Sequence, residues 1–232
     1  MKKKFFITNS IKIYVFENSV DLFRSLYTEE LNQFVNGFCI LPGGKTPLPL
    51  YDLLNNENKI KFLISDDRLV ENNNDLSNFK NIRNKFRINN EYPLSYFDEI
   101  SKGGIDVLNS KLIEMKNYNG IDISVLGLGC DSHTASLFPN ERANFETNNS
   151  GFILKRNEDD FYRFTLSYEY LLSAKKIIFL VVGIDKSIAL NAILFGPKDS
   201  MLYPAQEFIH KHKNIEIYCD TNAIKHIKNK LK

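Results

Sequence analysis

Cysteine, the residue that marks most small secreted domains, is scarce in this sequence. The 232 residues contain three cysteines, Cys39, Cys130 and Cys219, which lie far apart and show no C-x-x-C spacing. An odd number without that spacing argues against a disulfide framework and against a thiolate zinc site. We therefore expect a protein of the reducing cytoplasm.

Long apolar runs and an excess of one charge are missing as well. No stretch has the apolar length of a membrane span. The opening MKKKFFITNSIKIYVF is interrupted by polar residues and lacks a small-residue cleavage site, so we interpret it as two short strands rather than a signal peptide. Thirty basic and 28 acidic residues leave a net charge of +2. We expect neither a nucleic-acid nor a membrane partner, and any anion site must be local.

The apolar residues, 43% of the chain, are sufficient for a substantial core. Short apolar runs of strand length alternate with segments of helical period, a pattern typical of a mainly parallel sheet covered by helices. The predicted strands are 38–41, 60–64, 123–128, 176–183 and 215–219, with two extended segments between 150 and 170 as an antiparallel addition at a sheet edge. The predicted helices are 20–35, 47–56, 76–86, 104–117, 134–138, 185–195 and 221–231.

No linker rich in Pro, Gly or Ser divides the chain. We therefore expect a single domain over residues 1–232. Its predicted fold class is α/β and Rossmann-like, with a mainly parallel sheet flanked by helices on both faces.

The first stretch that could carry chemistry is CILPGGKTPLPLYDLL, in which an apolar strand ends in Gly43 and Gly44, followed by Lys45 and Thr46. Thr46 suits an N-cap, and Pro47 suits the first helical position. Two glycines let backbone amides turn towards a ligand at a helix N-terminus, where a phosphate is the natural occupant. The segment therefore predicts either a phosphate site or an ordinary strand-to-helix turn.

A nucleotide P-loop does not fit this segment. The pattern G-x-x-x-x-G-K-T needs glycine at position 39, which is occupied by Cys39 inside the predicted strand. The loop is too short to wrap the phosphates of a nucleotide.

The second stretch, FLISDDRLVENNNDLSNF, places Asp66, Asp67 and Arg68 at the end of a buried strand. In open α/β sheets, ligands bind at the carboxyl ends of the strands. The alternative is a surface ion pair, with Ser77 or Asn78 capping the helix that follows. This stretch does not decide between the two by itself.

The third stretch is GLGCDSHTASLFP, residues 127–139, which contains Asp131, Ser132 and His133 in succession. A dinucleotide fingerprint needs glycine at position 132, and a serine-hydrolase elbow needs glycines at 130 and 134, so neither pattern fits. Adjacent side chains diverge, so these three do not make one triad. A histidine at a strand-to-helix junction facing solvent can still accept a proton from water near neutral pH.

Together these stretches resemble the 6-phosphogluconolactonase family, whose pattern includes GGSTP or GGRTP, DER followed by SN, and G-x-G-x-DGHTASLFP. The corresponding segments here are GGKTP (43–47), DDR (66–68) with SN (77–78), and GLGCDSHTASLFP (127–139). RFTLS (163–167) and VVGIDKSIAL (181–190) are similar to further family segments. The resemblance therefore covers nearly the whole chain.

This resemblance implies hydrolysis of a small sugar-phosphate lactone, 6-phospho-D-glucono-1,5-lactone, to 6-phospho-D-gluconate in the oxidative pentose phosphate pathway, without metal or cofactor. His133 would activate the water and return its proton to the ring oxygen. Asp131 would orient the surroundings of that histidine or bind a sugar hydroxyl, and Arg68 would stabilise charge on the carbonyl oxygen. The implied substrate-binding residues are Gly43, Gly44, Lys45, Thr46, Asp66, Asn78, Arg163 and Lys186, of which the glycine segment, Arg163 and Lys186 would hold the phosphate.

The chain departs from the family pattern at three positions. Asp67 stands where the family usually has glutamate, and Ser65 and Ser132 stand where it generally has glycine. If position 132 requires a positive φ, serine costs about 1 kcal/mol or more of strain there.

Two other functions compete with lactone hydrolysis. Glucosamine-6-phosphate deaminases and isomerases carry DGHIAFNEP, but this chain has Thr134 and SLFP there, without their glutamate. A sensing domain that binds a sugar phosphate without turnover would not need His133 but would keep the phosphate-binding residues Lys45, Thr46, Arg163 and Lys186. The lactonase interpretation requires the glycine segment and His133 to open on one side of the sheet, within reach of one six-carbon ligand.

Overall fold

The computed structural model describes residues 2–33, 38–54, 61–85, 93–141, 143, 145 and 148–231. Its strands are β1 (Lys2–Thr8), β2 (Ile11–Phe16), β3 (Phe38–Leu41), β4 (Lys61–Ile64), β5 (Asp66–Arg68), β6 (Ile121–Gly127), β7 (Gly151–Leu154), β8 (Arg163–Leu166), β9 (Lys176–Val181) and β10 (Ile215–Asp220). Its α-helices are α1 (Ser19–Glu29), α2 (Leu48–Tyr51), α3 (Asn78–Lys85), α4 (Tyr96–Asn119), α5 (Tyr168–Leu172), α6 (Ser187–Phe195) and α7 (Gln206–Lys211).

The main sheet has seven strands in the order β1-β2-β10-β9-β6-β3-β4. All neighbours from β2 to β4 pair in parallel, and β1 joins the edge antiparallel to β2. Strands β3, β6, β9 and β10 are buried along nearly their whole length. Strands covered on both faces must be apolar at successive positions, which is why uninterrupted apolar runs predicted them. The predicted mainly parallel α/β fold and the two opening strands are confirmed.

Helices on the sheet are positioned by their apolar stripes and their caps. In α1, the side chain of Asn18 accepts the backbone N–H of Asp21 at 2.8 Å, and Leu22 and Leu26 are buried one turn apart. Helices α1, α2 and α3 contact one another in sequence, and α5 and α6 both contact α7. No helix among the described residues is long and apolar enough to span a membrane.

Three antiparallel strands form a second sheet in the order β5-β8-β7, and the backbone of Ser65, between β4 and β5, links it to the main sheet. The sequence predicted an antiparallel addition at an edge, but the segments between 150 and 170 instead pair with residues 66–68. The pairing sets Arg68 opposite Arg163 and Asp66 opposite Thr165. This small sheet thus brings two candidate arginines together.

Several predicted helices have different bounds in the structure. Helix α4 begins at Tyr96, earlier than predicted, because Ser95 accepts the N–H of Asp98 at 3.1 Å. Gly104 interrupts this helix with a φ of +80°, at the residue where the predicted helix begins. Residues 34–35, 55–56, 60 and 86 of the predicted elements lie outside the described residues.

Two predicted helices are absent from the described structure. Residues 134–138 form a tight turn closed by a bridge between Thr134 and Leu137, because Ala135 has a φ of +51° that no right-handed helix accommodates. Residues 221–231 form successive tight turns with a 3-10 segment at Lys228–Lys230. These turns still bury Ile224 and Ile227, the apolar face that predicted a helix.

Candidate active site

The glycine segment and the histidine segment meet because β3 and β6 are neighbours in the main sheet. After β3 the chain continues to β4 on one side, and after β6 it continues to β9 on the other. Such a reversal of direction opens a crevice at the carboxyl ends of the two strands, which is where ligands bind in open α/β sheets. We call residues 42–47 the glycine loop and residues 127–138 the histidine loop.

Both loops line one pocket with a cavity volume of about 200 Å³. Every candidate residue from the sequence except Asp131 lines it, namely Gly43, Gly44, Lys45, Thr46, Asp66, Arg68, Asn78, His133, Arg163 and Lys186. Tyr51, whose side chain could have blocked the glycine loop, is buried below it and donates its hydroxyl to the carbonyl of Pro42. The required convergence of the two strand ends on one crevice is therefore present.

The glycine loop has little room for side chains. A Cβ on Gly43 would lie 2.0 Å from the side-chain nitrogen of Asn78, and Gly44 has a φ of +83°. The N–H of Gly44 donates to Asn78 Oδ1 at 3.2 Å and is therefore already paired. Within the described part of the chain, the backbone N–H groups of Lys45 and Thr46 have no acceptor, so they are the amides available to an anion.

The helix after the glycine loop differs from the prediction. It begins at Leu48, with Pro47 at the N-cap position, and no side chain caps it, so Thr46 is not the cap. Pro49 lies inside its single turn. Four residues contribute little helix dipole, so an anion here depends on loop amides and on lysine and arginine side chains.

The two adjacent aspartates of β5 have different roles. Asp67 is buried and accepts the backbone N–H groups of Arg68, Asn78 and Phe79 at 2.8, 2.6 and 3.0 Å. Burial raises the pKa of Asp67 to about 6, although these backbone donors act in the opposite direction. Asp67 thus holds the start of α3, where Ser77 also accepts the N–H of Lys80, as the capping alternative predicted.

Asp66 faces the pocket. Its carboxylate accepts the hydroxyls of Ser65 at 2.9 Å and Ser136 at 2.6 Å, and all three side chains are buried. Because Ser136 belongs to the histidine loop, this aspartate joins that loop to the small sheet. Asp66 and Asp67 are therefore interior groups rather than half of a surface ion pair.

In the histidine loop, Asp131 and His133 form a hydrogen-bonded pair. Nδ1 of His133 lies 2.6 Å from Asp131 Oδ1, and the backbone N–H of His133 donates to the same oxygen at 3.1 Å. Burial by itself raises the pKa of Asp131, but the hydrogen bond and charge of His133 outweigh it and lower the pKa to about 2. A Cβ on Gly129 would lie 2.1 Å from His133 Nδ1, so only glycine leaves room for the pair.

This pair exists because the backbone between its members turns sharply. Ser132, the intervening residue, has a φ of +70° and is buried away from the pair. Position 132 therefore has the positive φ for which serine costs strain. Ser132 is not part of a triad, as predicted, whereas the contact between Asp131 and His133 requires this turn.

Three side chains that the sequence did not predict as site residues contact the candidate residues. Asp159 binds Arg163 with both carboxylate oxygens, at 2.7 Å and 3.2 Å. The ring of Phe138 lies 4.8 Å from the His133 ring and 5.5 Å from the Arg163 guanidinium. Cys130 Sγ lies 3.1 Å from Lys186 Nζ. The four-residue separation of Asp159 and Arg163 was a usable signal, but it usually indicates a helix, and none is present there.

The charges of the pocket favour an anion. Lys45, Arg68, Arg163 and Lys186 line it, against the single lining carboxylate of Asp66. Burial lowers the pKa of Lys186, but its contacts with Cys130 and Asp185 outweigh burial and shift the pKa upward. The described residues include no group of three or more His, Cys, Asp or Glu side chains placed to hold a metal ion.

The model of one protein family, glucosamine-6-phosphate isomerases/6-phosphogluconolactonase, matches residues 20–217. The chain belongs to this family. The 6-phosphogluconolactonase of Thermotoga maritima is 31% identical over 223 residues, which cover 88% of this chain and 96% of that protein. The 6-phosphogluconolactonase of Haemophilus influenzae is 30% identical over 203 residues, which cover 80% of this chain and 85% of that protein.

Solved structures of the glucosamine-6-phosphate isomerase/6-phosphogluconolactonase family have the same fold. A 6-phosphogluconolactonase from Shewanella baltica matches 90% of this chain and 97% of its own, with a TM-score of 0.75 and 22% identity. At that identity the likeness shows the fold alone. Together with the relatives in sequence, it makes this chain an enzyme of the family, as the motifs predicted.

Proposed function

We propose that this enzyme hydrolyses 6-phospho-D-glucono-1,5-lactone to 6-phospho-D-gluconate. The observation that carries the proposal is one pocket lined by cationic side chains, by the glycine loop with its free amides and by His133, whose ring is paired with Asp131. A phosphorylated sugar lactone has matching groups, a dianion and an ester carbonyl. The names of the relatives from Thermotoga and Haemophilus support the same substrate.

In this proposal the phosphate is bound by the glycine loop and two basic side chains. The N–H groups of Lys45 and Thr46 donate to the phosphate oxygens, and Arg163 and Lys186 supply charged hydrogen bonds. Asp159 holds the Arg163 guanidinium from behind, so little side-chain entropy is lost on binding. Phosphate binding then orients the lactone ring, which lowers the barrier without any covalent intermediate.

His133 is the proposed general base. Because the carboxylate of Asp131 only accepts hydrogen bonds, Nδ1 of the neutral imidazole carries the proton and Nε2 keeps the lone pair. Nε2 takes a proton from water as the water oxygen attacks C1. The tetrahedral intermediate then collapses with cleavage of the bond between C1 and the ring oxygen, and His133 returns the proton to that oxygen.

Arg68 is proposed to stabilise the oxyanion. Its guanidinium lines the same pocket as His133, opposite Arg163 in the small sheet. A positive charge beside the carbonyl oxygen is worth most when negative charge develops there in the transition state. Asp66, whose two carboxylate oxygens each accept one serine hydroxyl and keep a further lone pair, is proposed to accept a sugar hydroxyl. A cytoplasmic location remains part of the proposal, supported by three free cysteines.

The proposal is tested with freshly prepared phospholactone in a pH-stat, since ring opening releases a carboxylic acid whose proton is titrated. We expect acid release well above the spontaneous rate. A parallel assay of ammonia release from glucosamine 6-phosphate tests the deaminase alternative. Binding of 6-phosphogluconate without any acceleration of lactone opening would instead support the sensing domain and reject the lactonase.

A further inference from the structure

Asn78 connects three parts of the pocket through its side-chain amide. Its Oδ1 accepts the N–H of Gly44 at 3.2 Å and Nη1 of Arg68 at 3.0 Å. Its Nδ2 donates to the carbonyl of Asp66 at 2.9 Å. One amide at the start of α3 therefore joins the glycine loop, the β5 backbone and the guanidinium proposed to face the oxyanion.

These contacts leave the amide little capacity for a ligand. A primary amide has two acceptor directions and two N–H donors, and in Asn78 both acceptor directions and one donor are used. The residue is also 2% exposed. Such a side chain acts on a substrate through the groups that it holds.

Because Gly43 has no side chain, it leaves the space that the Asn78 amide occupies. A Cβ on Gly43 would lie 2.0, 2.3 and 2.6 Å from the side-chain nitrogen, carbon and oxygen of Asn78. Gly43 is not among the residues with positive φ, unlike Gly44. Glycine is therefore needed at position 43 for the approach of Asn78 and not for the backbone conformation.

Arg68 depends on this amide for its orientation. Its Nη1 donates to Asn78 Oδ1 and to the carbonyl of Leu76 at 2.9 Å, while its Nε is buried and has no partner among the described residues. Both anchoring bonds thus involve one terminal nitrogen. Loss of the Asn78 bond leaves the guanidinium free to rotate about the remaining contact.

We propose that Asn78 is a positioning residue that couples the glycine loop to Arg68, and that Gly43 is glycine in order to admit it. The proposal rests on the proposed lactonase function for its kinetic readout. It replaces the expectation that Asn78 binds substrate directly.

The first test compares Asn78→Ala and Gly43→Ala with the double variant. We expect Asn78→Ala to lower kcat/KM for the phospholactone by about 10- to 100-fold, because misplacement of a catalytic group has effects of this size. Gly43→Ala drives a methyl group into the amide and should have a similar effect. In the double variant the clash is gone, so its kcat/KM should equal that of Asn78→Ala alone. Multiplicative losses in the double variant would overturn the role assigned to Gly43.

A double-mutant cycle with Arg68 separates a positioning role of Asn78 from direct contact with substrate. It also tests the proposal if Gly43→Ala does not fold. In an Arg68→Ala background, Asn78→Ala should change kcat by less than about twofold, since the group that it positions is gone. A full 10- to 100-fold loss in that background would mean that Asn78 contacts substrate or only supports the fold. Melting temperatures of all variants identify any loss of folding.

The lactonase proposal and the positioning proposal fail separately. If the wild-type protein does not accelerate lactone opening, the lactonase proposal fails and the coupling is tested by calorimetric titration with inorganic phosphate. Affinity should then fall in both single variants and fall no further in the double variant. Unchanged phosphate affinity in Asn78→Ala would reject the coupling itself.

Discussion

The glycine loop and the histidine loop adopt unusual backbone conformations by different means. In the glycine loop, the left-handed residue is Gly44 and the close approach occurs at Gly43, so no side chain is strained. In the histidine loop, Ser132 and Ala135 have φ values of +70° and +51° although both carry a Cβ. One loop keeps its backbone uncovered by side chains, and the other directs a single side chain.

Hydrogen bonds hold the strained loop in its conformation. The N–H of Gly129 donates to the carbonyl of His133 at 2.8 Å, and the N–H of Ala205 donates to that of Ser132 at 3.0 Å. Strain of about 1–3 kcal/mol at such residues persists only where surrounding contacts over-determine the backbone. The comparison teaches that close approach of a backbone needs glycine, whereas placing an imidazole beside its aspartate needs a rigid turn.

The largest expected effect concerns the proposed general base in the histidine loop. His133→Ala should lower kcat by about 10²- to 10⁴-fold, the usual contribution of a general base, and should leave phosphate affinity nearly unchanged. Steady-state kinetics on the phospholactone measure this. The matched control is His210→Ala on α7, an exposed histidine outside the pocket. Retention of full activity by His133→Ala would refute the choice of base.

The second largest effect concerns the two basic side chains that are proposed to bind the phosphate. Arg163→Ala and Lys186→Ala should each raise KM for the phosphorylated lactone by about 10- to 100-fold, the value of a charged hydrogen bond to phosphate. The same variants should change KM for unphosphorylated gluconolactone little. Equal changes for both lactones would place these side chains away from the phosphate.

A smaller effect tests the role of Asp131. Asp131→Asn should lower kcat about tenfold, because the amide favours the wrong imidazole tautomer.

The pKa of Asp131 falls from 3.8 to about 2 on folding. Since the folded-state value is depressed, the ionised carboxylate stabilises the fold above pH 3.8, and this contribution is lost as the pH falls towards 2. Urea unfolding at pH 5, 4 and 3 should show the stability difference between wild type and variant shrinking. A difference independent of pH would contradict the pair.

The smallest effect concerns the backbone itself. Ser132→Gly should raise the free energy of unfolding by about 1 kcal/mol, since glycine relieves the left-handed strain. Gly44→Ala should lower it by about 1–2 kcal/mol for the opposite reason. Urea denaturation measures both. If both substitutions changed the free energy of unfolding in the same direction, the two loops would not differ in backbone strain.

The sequence predicted the buried strands well because each parallel strand has to be apolar along its whole length. It predicted helix ends poorly. The turn at 134–138 contains good helix formers, yet Ala135 is left-handed because the loop must bring Ser136 to Asp66. Likewise, Thr46 has the chemistry of an N-cap, but the backbone turns into the helix only after Pro47.

For the site, motifs named the groups, but their partners depend on contacts distant in sequence. Asp66 and Asp67 are indistinguishable as neighbours in a motif, and only the packing of α3 and the histidine loop makes one a cap and the other a pocket residue. Asp159 behind Arg163 lies in a segment with no regular period. Its role became evident only from the two hydrogen bonds that its carboxylate forms.

By itself, the sequence determined the buried strands, the loops that carry glycine and histidine, and the family. These properties depend on local apolar pattern and on residue identity. Tertiary structure decided that β3 and β6 are neighbours, so that both loops open into one pocket. It also decided that Asn78, 34 residues after Gly44, holds that loop and Arg68 together. Hydrogen bonds of this kind depend on how helices pack against the sheet, which no local pattern encodes.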